Sequence, residues 1–201
     1  NLADLNITLF VYNDHPENKI PELLEAHNIS HLYSQQEWTK EENEVTEGVN
    51  ENIGNVEHHV HYDQFLFHPD DIPFSSFTEI PQIFTQFRKK CEKESKVRTL
   101  QKELKPLPAK NRLDNTTVIP SLEDLGLETF TKDHRTAFPW IGGEDAAWDR
   151  LQHYFWDTEK LAFYKKTRNG LVGEDYSSKF SAWLANGAIS ARQIYSEVQR
   201  F

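Results

Sequence analysis

Two hydrophobic periods run along this chain, and one gives way to the other. In the first third, short apolar runs alternate with amphipathic stretches. Leu5-Asn-Ile-Thr-Leu-Phe-Val-Tyr12 is rich in β-formers and predicts a buried strand. The turn at Asn13-Asp-His-Pro16 leads into a predicted helix over residues 17–27, with Leu23 and Leu24 inward. Ile29-Ser-His-Leu-Tyr33 predicts a second short strand. Residues 39–53 predict a weakly amphipathic helix with Val45 and Val49 on one side. Residues 56–67 alternate and predict a strand running into the turn at His68-Pro-Asp-Asp-Ile-Pro73. Strand–helix–strand–helix order predicts an α/β region built on a parallel sheet.

Further along, only the helical period survives. Pro81 opens a predicted helix closing near Lys93, with Ile83, Phe84, Phe87 and Cys91 on one stripe. Residues 95–140 lose periodicity and carry Pro106, Pro108 and Pro120, which predicts a connector with little regular structure. Gly143-Glu-Asp then opens a helix with Ala147, Trp148, Leu151 and Phe155 on its inner face. Asp157-Thr-Glu-Lys caps another, with Leu161 and Tyr164 inward, and Asn169-Gly170 stops it. Ser190-Ala-Arg-Gln193 has capping-box spacing and starts the last helix. The expected division is an α/β region over residues 1–94, a connector over 95–142 and an all-α region over 143–201.

Composition narrows the class. The 201 residues carry a net charge of −10, a mean hydropathy of −0.71 and a single cysteine, Cys91. One cysteine excludes an internal disulfide and fits a reducing, intracellular and cytoplasmic setting. No apolar run approaches membrane-span length, so no membrane partner is expected. The acid is unevenly placed. Residues 37–57 hold seven glutamates and one lysine, while Arg88-Lys89-Lys90, residues 96–112 and Lys165-Lys166-Thr-Arg168 are basic. A local basic groove is therefore compatible with the acidic total, although most of these charges read as solvated helix faces. There is no methionine, even at position 1, and Phe201 falls inside a predicted helix. The expectation is an internal fragment of a longer protein. Such a fragment should bind a cofactor poorly and leave Trp148, Trp183 and Ile194 partly exposed.

One segment carries most of the chemistry. In Asp175-Tyr-Ser-Ser-Lys-Phe-Ser181, the hydroxyls of Ser177, Ser178 and Ser181 surround Lys179 where a short apolar helix should begin. Hydroxyl and backbone N–H donors gathered in one place suit a phosphate. Ser-rich helix starts are common, and plain N-capping is the better explanation of any single one. Tyr164 sits on a helical stripe and reads as a core aromatic. Arg168 reads as a solvated charge at a helix C-terminus. The run His58-His-Val-His61 places His59, His61 and Asp63 on one face of a strand. Zinc sites draw ligands from more than one segment. The preferred reading is a solvated strand face, with no metal. Cys91 reads as an inert core residue.

The serine segment, together with Tyr164-Lys-Lys-Thr-Arg168-Asn-Gly170, closely resembles the photolyase/cryptochrome family, and most of all its DASH cryptochromes. His68-Pro-Asp-Asp-Ile-Pro-Phe74, Ile80-Pro-Gln-Ile-Phe-Thr-Gln-Phe-Arg88 and Phe138-Pro-Trp-Ile-Gly-Gly-Glu144 carry the resemblance upstream. Ala182 and Ala191 stand where the family often has proline. The resemblance implies part of a Rossmann-like, antenna-binding photolyase domain followed by the start of a helical FAD-binding domain. It implies that Tyr164, Ser177, Ser178, Lys179, Phe180 and Ser181 contact FAD and that Arg168 faces DNA. It also implies a methenyltetrahydrofolate antenna near Glu41, with Glu37 as a rival. The family's catalytic acid and tryptophan chain are expected beyond Phe201.

The implied activity is light-driven repair of cyclobutane pyrimidine dimers, with damaged, single-stranded DNA as partner. The alternatives are a blue-light photoreceptor without repair activity, or a non-catalytic interaction module that has lost flavin.

Overall fold

The computed structural model describes residues 2–201. It has an N-terminal α/β part with a small parallel sheet and a later part that is helical. Contacts divide the chain into two units. The first holds the described residues up to His61 together with Gln101–Thr131; the second holds Tyr62–Leu100 and Lys132–Phe201. These units cut the chain differently from the linear division at residues 94 and 143.

In the first unit, helix α1 (Pro16–Ala26), strand β1 (His31–Gln35), helix α2 (Lys40–Asn52) and strand β2 (Glu57–His61) follow in order. Pro16 begins α1, where a missing N–H costs nothing. Thr39 begins α2, its N–H and hydroxyl both donating to the Glu42 carboxylate. The strands pair in parallel, His31 opposite Glu57 and Tyr33 opposite His59. One sheet face meets the helices: Leu24, Val49 and Ile53 are buried, with Ile20, Leu32 and Val56 against them. The other face presents His31, Tyr33, Glu57 and His59.

Two strand expectations are corrected. Residues 7–12 form no strand. A strand needs a backbone ladder; here one backbone bond, from the Leu107 N–H to the Leu5 carbonyl at 2.9 Å, is joined by bonds through side chains of both segments. Asn6 Nδ2 donates to the Leu107 carbonyl at 2.7 Å, Asn115 Nδ2 to the Leu9 carbonyl at 2.7 Å, and the Val11 N–H to Thr117 Oγ1 at 3.0 Å. The strand expected over 56–67 ends at His61, where its pairing with β1 runs out. The low regularity expected over 95–140 is observed, with a single 3-10 turn at Ala109–Asn111 as its one helical element.

In the second unit, helix α3 (Phe84–Glu94) buries Cys91 completely, and burial pushes that thiol up from its ordinary value. Ile83 and Phe84, read on one stripe with Cys91, are exposed. Helix α4 (Glu144–Gln152) opens at Gly143, whose φ of +101° suits only glycine. It continues into one wider turn over His153–Asp157, and Asp157 accepts from Gln152 rather than capping a new helix. Short helices α5 (Tyr164–Thr167) and α6 (Ser181–Ala185) precede α7 (Ala191–Arg200). The predicted capping box of α7 is complete: Ser190 Oγ accepts from the Gln193 N–H at 3.1 Å, and Gln193 Oε1 accepts from the Ser190 N–H at 2.7 Å.

The core of this unit is Ala147, Leu151, Tyr154, Phe155, Phe180, Trp183 and Ile189. Phe138 and Trp140 lie against Trp183, whose indole N–H donates to the Ile141 carbonyl at 3.2 Å. Trp183 is thus buried, against the exposure expected for it; Trp148 and Ile194 are partly exposed, as expected.

Candidate functional site

The segment Asp175–Ser181 is fixed from beneath by one side chain. Arg150 leaves the buried face of α4 and is 1% exposed. Its Nε donates to the Ser178 carbonyl at 3.1 Å, and its Nη2 to the carbonyls of Ser177 at 3.0 Å and Glu174 at 3.1 Å. Nη1 donates to Asp175 Oδ1 at 2.7 Å. The guanidinium also lies 4.3 Å from the Trp140 ring centre and 5.0 Å from that of Tyr154. A planar cation with donors on every edge suits a loop that offers three carbonyls and a carboxylate. Burial acts to raise the Asp175 carboxyl, but hydrogen bonds from Arg150 and His153 outweigh it and hold the group below its ordinary value.

With its carbonyls directed at Arg150, the loop turns its hydroxyls elsewhere. Among the described residues, none forms a hydrogen bond with the hydroxyl of Ser177, Ser178 or Ser181. Helix α6 starts after Phe180, and no side chain caps it. N-capping therefore does not account for these serines. Lys179 adopts φ +65°, a left-handed conformation that costs a non-glycine residue about 1–2 kcal/mol. Its ammonium lies 3.6 Å from the centre of the Tyr176 ring and bonds that residue's hydroxyl.

An open cleft of about 510 Å³ lies over this loop. Tyr164, Ser177, Ser178, Lys179, Phe180 and Ser181 all line it, with Phe138, Leu184 and Ile194 among its apolar walls. The six residues singled out as cofactor contacts are thus brought together. Tyr164, expected inward, is 38% exposed and stands on the cleft wall. Phe180 divides its role, since its ring packs edge-on against Phe155 in the core. Arg168 is exposed at the end of α5 and does not line the cleft. Glu41 belongs to the first unit, in the first turn of α2, and is exposed.

Arg150 is the residue that reading the sequence missed. The signal was present: Arg150 falls on the stripe of Ala147, Leu151 and Tyr154, a charge set into an apolar face.

The family model for DNA photolyase matches residues 1–111. The chain is 39% identical to Cryptochrome DASH of Xenopus laevis over 100% of its own length and 40% of the relative's. It is 40% identical to Cryptochrome DASH of Gloeobacter violaceus, again over 100% of this chain and 40% of the other. The solved Synechocystis cryptochrome superposes with a TM-score of 0.82 at 37% identity, over 99% of this chain and 41% of that one. A bacterial class III photolyase from Agrobacterium tumefaciens shares the fold, with a TM-score of 0.64 at 17% identity over 90% of this chain and 37% of that one. The chain therefore spans about two fifths of the length of its relatives. A photolyase family match over more than half of the residues, joined to end-to-end similarity with DASH cryptochromes and to the fold of a solved cryptochrome, shows that this chain belongs to the photolyase/cryptochrome family.

Proposed function

We propose that the cleft over the serine loop receives the diphosphate of FAD, in a protein that carries out light-driven repair of cyclobutane pyrimidine dimers in single-stranded DNA. The observation that carries this reading is the loop itself. Its carbonyls are occupied by Arg150, so its three hydroxyls are left as donors along one wall of an open cleft. Such a donor set fits an anion rich in acceptor oxygens. The apolar wall of Phe138, Leu184 and Ile194 fits the less polar part of a cofactor.

In this reading Ser177, Ser178 and Ser181 bind and orient the diphosphate, and Arg150 keeps their backbone in place. Tyr164 packs against the flavin. When bound, FAD supplies the light-driven electron transfer. Arg168, outside the cleft and exposed, is assigned to the DNA backbone; Glu41 is assigned to a methenyltetrahydrofolate antenna. An intracellular setting follows from the same reading.

The test is a titration of FAD against a protein with the full length of the relatives, followed by flavin fluorescence, with S178A/S181A as comparison. Each neutral hydrogen bond lost costs about 0.5–1.5 kcal/mol, so the double variant should bind roughly tenfold more weakly or worse. Equal affinity would remove the serines from the cofactor site. Light-dependent repair of a dimer in a single-stranded oligonucleotide, assayed in a protein with the full length of the relatives, tests the second half. Flavin binding without repair would leave a photoreceptor.

A further inference from the structure

The parallel pairing of β1 with β2 gathers His31, Glu57 and His59 on the sheet face that the helices leave uncovered. His31 Nδ1 lies 3.2 Å from His59 Nε2. Glu57 Oε2 lies 3.5 Å from His31 Nδ1 and 3.6 Å from His59 Nε2. We infer that these three atoms form a binding site for a divalent transition cation of the zinc type.

The triangle itself carries the argument. Zinc binds imidazole nitrogen at about 2.0–2.1 Å and carboxylate oxygen at about 2.0–2.2 Å, so the ligand atoms of a tetrahedral site stand roughly 3.3–3.6 Å apart. All three observed separations fall on or beside that edge length. A hydrogen bond between the two rings accounts for one side of the triangle only. The two sides that reach Glu57 are too long for good hydrogen bonds, and the carboxylate still stands nearly equidistant from both nitrogens.

The ligand set is specific in kind. Two imidazoles select a borderline metal and disfavour calcium and magnesium, which take oxygen. Three protein ligands leave the fourth position to water or a further ligand. Tyr33 stacks on the His59 ring with centroids 4.6 Å apart, which fixes the plane of one ligand. Each ligand side chain is at least a third exposed, so the ion can enter from solvent. His58 points to the opposite face, where it bonds Ser34 Oγ at 2.8 Å and Asn50 Oδ1 at 2.6 Å. The histidine run supplies only one of the three ligands. His31 comes from the neighbouring strand, the second segment that the run itself lacked. None of these residues belongs to the serine loop, so the site stands apart from the flavin reading.

The test is cobalt(II) titration of the chain after dialysis against EDTA, read by visible absorption. One equivalent should bind with the strong bands of a tetrahedral centre; zinc should displace it and magnesium should not. H31Q, H59Q and E57Q should each weaken binding at least about tenfold. H58Q, on the other face, should bind as the wild type does. His31→Cys, which keeps a ligand at that place, should retain binding, and this separates loss of a ligand from loss of fold. Zinc should also raise the melting temperature of the wild type and leave that of H59Q unchanged. Absence of saturable cobalt binding, or equal binding by wild type, H31Q and H59Q, would overturn the assignment.

Discussion

Arg150 donates from Nη1 to Asp175 Oδ1 at 2.7 Å, joining the last turn of α4 to the start of the serine loop. The arginine is 1% exposed, and three loop carbonyls share its remaining donors. Removing one partner of a buried charged pair costs about 3–5 kcal/mol. Arg150→Ala is expected at the lower end, about 3 kcal/mol, because Asp175 keeps some access to water. Arg150→Lys should recover part of that loss, since an ammonium restores the charge without spanning four acceptors. Urea denaturation measures both.

The same pair makes stability depend on acid. Folding holds the Asp175 carboxyl below its ordinary value, because the Arg150 and His153 hydrogen bonds outweigh burial. The unfolded chain therefore takes up this proton at a higher pH than the folded one. The contribution is complete above the unfolded value and is lost as pH falls through the folded one. Asp175→Asn should be less stable than wild type at neutral pH, and the gap should close below about pH 4. A gap that persists unchanged into acid would assign the effect to shape rather than charge.

Helix α7 depends on its first turn. Ser190 and Gln193 satisfy one another's backbone donors at 3.1 and 2.7 Å. Ser190→Ala should cost about 0.5–2 kcal/mol in a denaturation experiment. Ser196→Ala, on the same helix beyond the capping box, should cost less.

Features set by neighbours in sequence were the legible ones. The Ser190 box needs only a spacing of three, and the helix over 40–52 needs only its own period and cap. Leu5–Tyr12 misled because β-propensity reports fitness for a ladder and not the presence of one; Asn6, Asn115 and Thr117 provide side-chain bonds in its place. Tyr164 was placed inward by helical period, but its helix is four residues long, too short for one face to be buried along it. The serine loop was found by its wording, whereas its support was not. Arg150 meets carbonyls 24 to 28 residues further along, a relationship that only the folded chain creates.

Gly170 offers a sharper test of how tightly that loop is held. A Cβ built there would stand 2.8 Å from Tyr176 Cβ and 3.2 Å from the Thr167 carbonyl oxygen. Neither neighbour is the free end of a flexible side chain, so one segment must move. The Tyr176 ring carries the Lys179 ammonium at 3.6 Å, and Lys179 already occupies a left-handed backbone conformation. Displacing Tyr176 therefore disturbs the residue that shapes the turn before α6. Gly170→Ala should cost about 1–3 kcal/mol, the usual penalty of forced overpacking. Gly142→Ala is the matched control: nothing stands within 4 Å of its added carbon, and it should stay within about 0.5 kcal/mol of wild type. Denaturation midpoints compare the two directly. Flavin titration of Gly170→Ala in a protein with the full length of the relatives then reads the consequence at the cleft, where affinity should fall with the displaced serines. Equal midpoints for the two alanine variants would show that residues 170–176 yield freely, and that Arg150 alone sets the loop.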